Sequence, residues 1–230
     1  MITDNVQAIL SSLPKHVQLE AAAKTRSLDE IREAIDAGIT ILGYNYVQEA
    51  EIIFRGIGKK VSWHLIGHLQ RNKAKKAVEI FDMIETIDSL RLAEVVNRFC
   101  QESGKRMRIL IEVNSGREAN KTGVLPEEID ELAERISQLS NICLQGLMTM
   151  GPFLGDPEKA RPYFKATKQA FDRLVKSAIP NVEMRVLSMG MSNSYRVAIE
   201  EGANLIRLGT ILFGERKTID SKKQDQSMSS

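Results

Sequence analysis

The sequence predicts an α/β fold, a single (β/α)₈ TIM barrel preceded by a leading N-terminal helix. Three observations carry that expectation. Short aliphatic runs alternate strictly with stretches whose apolar residues recur at helical spacing, and this order argues a parallel sheet. Eight such strand-helix units can be counted, which argues closure into a barrel over an open doubly wound sheet, the runner-up. At 230 residues the chain can bury a sizeable core and is slightly shorter than the ~250 residues typical of such barrels.

Residues 6–13 read as the leading helix, ended at Pro14 because the residue before a proline is pushed out of the helical region. Residues 17–23 form the first strand, weak in propensity because of its alanines, and Lys24 stands at its C-terminal end. Ser27 with Glu30 makes a capping box, after which Leu28, Ile31 and Ile35 mark one helical face that stops at Gly38. Strand 39–42 and helix 47–54 follow, then strand 61–66 and a helix over 72–80. Strand 83–86 precedes a helix begun by Asp88 or Ser89, with Leu92, Val95, Val96 and Phe99 inward and Gly104 beyond its end. Strand 107–113 leads through a polar loop, 114–123, to a helix opened by Pro126 that buries Ile129, Leu132, Ala133 and Ile136. Strand 143–148 and a helix over 157–176 complete the sixth unit.

The last two units matter most for function. Residues 184–187 read as the end of a strand, 188–192 as a small-residue loop, 194–201 as a helix stopped by Gly202, and 205–208 as another strand. Ser188, Gly190 and Ser192 at one corner, and Gly209 and Thr210 at the next, supply hydroxyls and backbone N–H groups that can converge on a phosphate beside a helix N-terminus. Either corner alone reads as an ordinary turn. Two of them at the closing seam match the place where barrels of this kind often bind phosphate.

Lys plus Arg (32) nearly balance Asp plus Glu (30), and a net charge of +2 gives no electrostatic case for nucleic acid or an anionic membrane. No run is long and apolar enough to span a bilayer, and no secretory leader is read at Met1. Cys100 and Cys143 lie in apolar surroundings without metal-ligand spacing, so they read as reduced core residues and suit the cytoplasm. After Gly214 the composition turns polar. Residues 1–216 are assigned to the barrel and 217–230 to a flexible C-terminal tail.

In a parallel barrel, reactive groups gather at the C-terminal strand ends, so residues far apart in sequence can face one cavity. Lys24, Asn45, His68, Ser188, Ser192, Arg207, Gly209 and Thr210 fall at such ends. A lone lysine is more often a solvated surface group. Here Ala21, Ala22 and Ala23 leave room beside it for a ligand, and its amine could attack an aldehyde. Asn45 could equally face a ligand or fix its own turn, and His68 could contact a ligand or order its loop. His64 reads as a packed histidine, and Lys121 as part of a polar loop. Glu20, Glu85 and Glu112, also on strands, show no defining arrangement for acid-base chemistry on a phosphorylated sugar.

A lysine, an arginine and a phosphate cradle suit pyridoxal 5′-phosphate (PLP). The chain resembles the pyridoxal-phosphate homeostasis protein family, whose barrel is similar to the N-terminal domain of the alanine racemases. The motifs are Ala23-Lys24-Thr25, Gly43 with Asn45-Tyr46-Val47-Gln48-Glu49, Trp63-His64-Leu65-Ile66-Gly67-His68-Leu69-Gln70, Gly146-Leu147-Met148-Thr149-Met150, Leu187-Ser188-Met189-Gly190-Met191-Ser192 and Arg207-Leu208-Gly209-Thr210. Their order and spacing carry the resemblance.

The resemblance implies a fold-type III PLP barrel. In it Lys24 is the Schiff-base lysine; Ser192, Gly209 and Thr210 hold the phosphate with help from Ser188; Asn45 sits beside the ring; and Arg207 faces the pyridine nitrogen. It also implies a monomer that holds the cofactor in intracellular PLP homeostasis with little or no turnover, and that admits free amino acids as further partners. The alternative is an amino-acid racemase, which needs bases on both faces of the substrate. In the alanine racemases the second base comes from a C-terminal domain and a partner subunit, for which residues 217–230 offer no counterpart. Three departures from the family pattern are Tyr44 in place of a glutamate, Ala23 in place of a small hydroxyl residue, and Ser194 in place of an acid.

Overall fold

The computed structural model describes residues 1–151 and 155–215. Eight parallel strands close into a barrel in chain order: β1 (Gln18–Ala22), β2 (Ile41–Tyr44), β3 (Ser62–Leu65), β4 (Met83–Ile87), β5 (Met107–Glu112), β6 (Ile142–Thr149), β7 (Val182–Met189) and β8 (Leu205–Leu208). The ladder between β1 and β8, with Glu20 opposite Arg207, closes the ring. Around it run α1 (Ile2–Ser12), α2 (Leu28–Asp36), α3 (Val47–Ile57), α4 (Ala74–Ile80), α5 (Leu90–Ser103), α6 (Ile129–Ile136), α7 (Arg161–Ser177), α8 (Tyr195–Glu200) and the single turn α9 (Thr210–Phe213). The expected tail, 217–230, lies outside the described residues.

Local chemistry accounts for the boundaries. Ser27 accepts from the Glu30 N–H while the Glu30 carboxylate accepts from the Ser27 N–H, so the expected capping box forms. Ser89 caps α5, and Gly104 ends it in the left-handed conformation that an α-carbon without a side chain adopts freely. The leading helix packs across the seam between α2 and α9, where the Asn5 side chain donates to the Leu212 carbonyl at 3.1 Å.

Several boundaries differ from expectation, α1 beginning at Ile2 and β2 spanning Ile41–Tyr44 among them, and two have a clear local cause. The helix α6 starts at Ile129 rather than Pro126, because the Glu128 carboxylate accepts from the Leu125 N–H and holds the segment before it in a turn. Strand β7 extends through Met189, taking in Ser188, which the sequence had suggested as loop. Ser188 pairs with Leu205 of β8, and its side chain finds polar partners inside the barrel, so a hydroxyl in the strand carries little cost.

Residues paired across a parallel ladder share a face. The register from Gly43 to His64, His64 to Met83, Met148 to Ser188 and Glu20 to Arg207 therefore places all of these on the inside. The opposite face packs against the helices. There Tyr44 stacks on Trp63 with ring centroids 5.6 Å apart, and Trp63 meets Phe54 of α3 edge-on at 5.2 Å. Inside, a small separate apolar cluster of Met83, Leu110 and Met148 shares the space with buried polar groups.

Candidate functional site

A cavity of about 380 Å³ opens among the C-terminal strand ends, lined by Lys24, Asn45, Ser192, Arg207, Gly209 and Thr210 together with Ala22, Arg26, Ile66, Met150, Met191 and Asn193. Six of the seven expected site residues thus meet in one place. Arg26 was not anticipated, because its position in the turn after β1 carries no strand-end signal. Its guanidinium donates to the Gly214 carbonyl at 2.6 Å and lies over the Phe213 ring, which ties the turn after β1 to the end of α9.

The turn that carries Lys24 is held from two sides. Ala23 donates its N–H to the Gly43 carbonyl at 3.0 Å. Thr25 sits at φ 64°, a left-handed conformation that a β-branched residue adopts only at a cost of about 1 kcal/mol or more. That geometry aims its N–H at the Glu49 carboxylate in the first turn of α3, which accepts it. The Lys24 ammonium lies 5.4 Å from the centroid of the Tyr46 ring. Asn45 is fixed by close packing, since a β-carbon on Gly67 would come within 2.2 Å of the Asn45 carbonyl oxygen. At the closing seam Gly209 lies beside Ala22, and a β-carbon there would stand 3.2 Å from the Ala22 carbonyl oxygen.

Ser188 does not line the cavity. It is fully buried, its hydroxyl donates to Glu85 Oε2 at 2.6 Å and accepts from Arg207 Nη1, and so it braces the arginine instead of reaching a phosphate. The guanidinium also donates from Nη2 to the Thr149 carbonyl at 2.8 Å. Two of the three strand glutamates are also arranged more closely than the sequence suggested. Glu20 and Glu85 flank His64, whose Nδ1 is 2.8 Å from Glu85 Oε1 and 3.7 Å from Glu20 Oε2, all three being buried. Burial, with repulsion from Glu85, pushes the Glu20 carboxyl up to about 7. Burial also works to raise Glu85, but His64 and Arg207 prevail and hold it below the ordinary carboxylate value. For His64 burial acts to lower the value, yet the two carboxylates raise it to about 9. The signal for this group was present as polar residues at alternate positions of apolar strands.

The remaining candidates lie elsewhere. His68 is half exposed, 3.3 Å from Asp88, and lines neighbouring surface clefts. Lys121 pairs with Glu118 at 2.7 Å away from the cavity. Tyr44, the residue in place of the family's glutamate, points outward onto Trp63 and leaves the cavity lining unchanged. Burial raises its hydroxyl, which has no hydrogen-bond partner, far above the usual tyrosine value. Ser194 accepts from the Met191 N–H at 3.3 Å and so closes its own turn.

Residues 1–217 match the family model described as alanine racemase, N-terminal domain. The pyridoxal phosphate homeostasis protein of Aquifex aeolicus is 40% identical over 201 residues, covering 87% of each chain. That of Bos taurus is 33% identical over 241 residues, covering 98% of this chain and 88% of its own. Among solved structures, PipY of Synechococcus elongatus PCC7942 with PLP bound superposes with a TM-score of 0.86 at 34% identity, over 93% of this chain and all of that one. An alanine racemase of Clostridium difficile 630 shares the fold, with a TM-score of 0.75 at 18% identity over 95% of this chain and 57% of its own. The chain belongs to the alanine racemase N-terminal domain family and, within it, to the pyridoxal phosphate homeostasis proteins.

Proposed function

We propose that this protein binds pyridoxal 5′-phosphate in the mouth cavity, with Lys24 as the residue that holds it covalently, and serves PLP homeostasis with little or no turnover. One observation carries the reading: Lys24 shares a single cavity with Arg207, Ser192, Gly209 and Thr210, residues from opposite ends of the chain. When bound, the cofactor supplies an aldehyde open to a primary amine and a dianionic phosphate. The lining fits both. Lys24 provides the amine, and Ser192 and Thr210 provide hydroxyl donors. At Gly209 no side chain screens the backbone, and Arg26 and Arg207 add positive charge. The homologues named for PLP homeostasis and the PLP-bound PipY support the assignment.

Arg207 gives the site its restraint. A guanidinium donates and does not accept, so facing the ring nitrogen of bound PLP it would disfavour protonation there and leave the cofactor a weaker electron sink. Racemisation also needs a second base, and among the described residues the ionisable groups lining the cavity are Lys24, Arg26 and Arg207.

Exposed large apolar residues such as Leu10, Ile52 and Val175 are spread over separate helices, which supports a monomer. No described helix is long and apolar enough to cross a membrane. Two free buried cysteines suit a reducing compartment, the cytoplasm. The test of the central claim is borohydride reduction of PLP-loaded protein followed by peptide mapping. The pyridoxyl group is expected on Lys24, and its appearance on Lys73 or Lys121 overturns the assignment.

A further inference from the structure

The interior of the barrel beneath the cavity carries a hydrogen-bonded path that the binding residues alone do not explain. It starts at Arg207, which is 3% exposed. A charge so deeply buried is costly unless it is paired and its donors are satisfied. Its Nη1 donates to Ser188. The single hydroxyl proton of Ser188 then goes to Glu85 Oε2 at 2.6 Å, which fixes the direction of both bonds. The other Glu85 oxygen faces His64 Nδ1 at 2.8 Å, and His64 Nε2 faces Ser62 Oγ at 3.3 Å. His64 and Ser62 also line a cavity of about 270 Å³ at the opposite, N-terminal end of the barrel.

Charge balance closes the group. Glu85 Oε2 stands 3.9 Å from Arg207 Nη1, and Glu20 stands 3.7 Å from His64 with both carboxylate oxygens buried and lacking a hydrogen-bond partner. Two carboxylates thus face one guanidinium and one imidazole. Removing Glu85 would take away the carboxylate that pairs with Arg207 at 3.9 Å, whereas removing Ser188 would break the link and keep the charges. The guanidinium would then be free to turn about its remaining bond to the Thr149 carbonyl.

We propose that Glu85 and Ser188 are positioning residues for Arg207, and that they set the cofactor's electronic state from β4, opposite Arg207 across the barrel, and from the adjacent β7. The inference rests on PLP occupying the mouth cavity. The orientation of Arg207, and with it the donor presented to the bound ring, is fixed by partners on β4, β6 and β7 and not by the cavity lining.

The test uses the full chain loaded with PLP, comparing wild type with Ser188→Ala, Ser188→Thr and Glu85→Gln. Circular dichroism establishes that each variant is folded. The bond from Arg207 to Ser188 is made before the cofactor arrives, so Ser188→Ala acts on binding through the orientation of Arg207 and is expected to raise the PLP dissociation constant roughly fivefold or more. The visible absorption band of the bound cofactor should shift with it, a signature that loss of packing alone would not move. Ser188→Thr, which keeps the hydroxyl, should restore both. Glu85→Gln should shift the band in the same sense as Ser188→Ala. Unchanged spectra and dissociation constants within twofold in Ser188→Ala and Glu85→Gln overturn the proposal. So does one equivalent of a divalent metal in the purified protein that disappears in Glu20→Gln, since an ion would then replace the proton between His64 and Glu85. A wild-type protein that takes up no PLP removes the proposed function itself, a result distinct from either.

Discussion

Thr210 illustrates how much one side chain can contribute at the mouth of the barrel. It opens α9 directly after Gly209, and its hydroxyl is among the donors lining the cavity. Replacing it with alanine removes a donor to a dianion while leaving Lys24 in place. Thr210→Ala should therefore raise the dissociation constant for PLP about tenfold to a hundredfold and still permit borohydride trapping on Lys24. Gel filtration followed by absorbance measures retention, and unchanged affinity would place the phosphate elsewhere. Lys24, Arg207 and Thr210 were legible because strand-end position alone brings them to the mouth of a parallel barrel. Arg26 was not, since it reaches the cavity through contacts with the far end of the chain, Phe213 and Gly214.

Among the elements, the loops after β2 and β3 show how backbone contact positions a side chain. A β-carbon on Gly67 would stand 2.2 Å from the Asn45 carbonyl oxygen and 2.6 Å from its α-carbon, and backbone cannot swing away as a flexible side chain can. We expect Gly67→Ala to destabilise the fold by about 1 to 3 kcal/mol, read from urea unfolding, and to weaken PLP binding by displacing Asn45. Full stability in the variant would mean that the two loops are looser than their packing implies. The strand order and the helix caps could be read from the sequence because they depend on neighbours in the chain, as in Ser27 with Glu30. The role of Ser188 could not. On the inner face of a barrel a side chain meets either the mouth cavity or the interior below it according to its level along the axis, so where that hydroxyl points depends on the register of β7 against β8. The same holds for Glu20, His64 and Glu85, which lie 103 residues from Ser188 or farther and meet only on closure of the ring.

For the whole molecule, the buried interior charges tie stability to pH. His64 is raised to about 9, so the stability it contributes is complete below its ordinary value of 6.5 and is lost as pH rises through 9. Glu20, raised to about 7, contributes fully below 4.5 and loses that contribution as pH rises through 7. Glu85 is lowered and acts in the opposite sense, contributing above 4.5 and losing its part as pH falls through its folded value. Calorimetry should therefore find Tm falling by roughly 5 °C between pH 6 and 9, with a shallower slope in His64→Gln. A flat profile in the wild type would contradict the charge states assigned to the cluster.

The last prediction concerns catalysis. Removing an α-proton from an amino acid and returning one to the opposite face requires two bases, and the ionisable groups lining the cavity among the described residues are all cationic. Under the proposed binding, a charged Arg207 facing the ring would work against the same chemistry by keeping the cofactor a poor acceptor of electrons. Exchange of a free amino acid with Lys24 is less demanding, needing an accessible carbon and an amine, so a spectral change on adding alanine does not indicate turnover. Loss of the α-proton must be followed directly in deuterated water, with chiral analysis of the recovered alanine. Exchange and inversion are expected to stay far below ~1 per second, the lower edge of ordinary enzyme rates, and turnover at or above that rate would establish a racemase in place of a cofactor-holding protein.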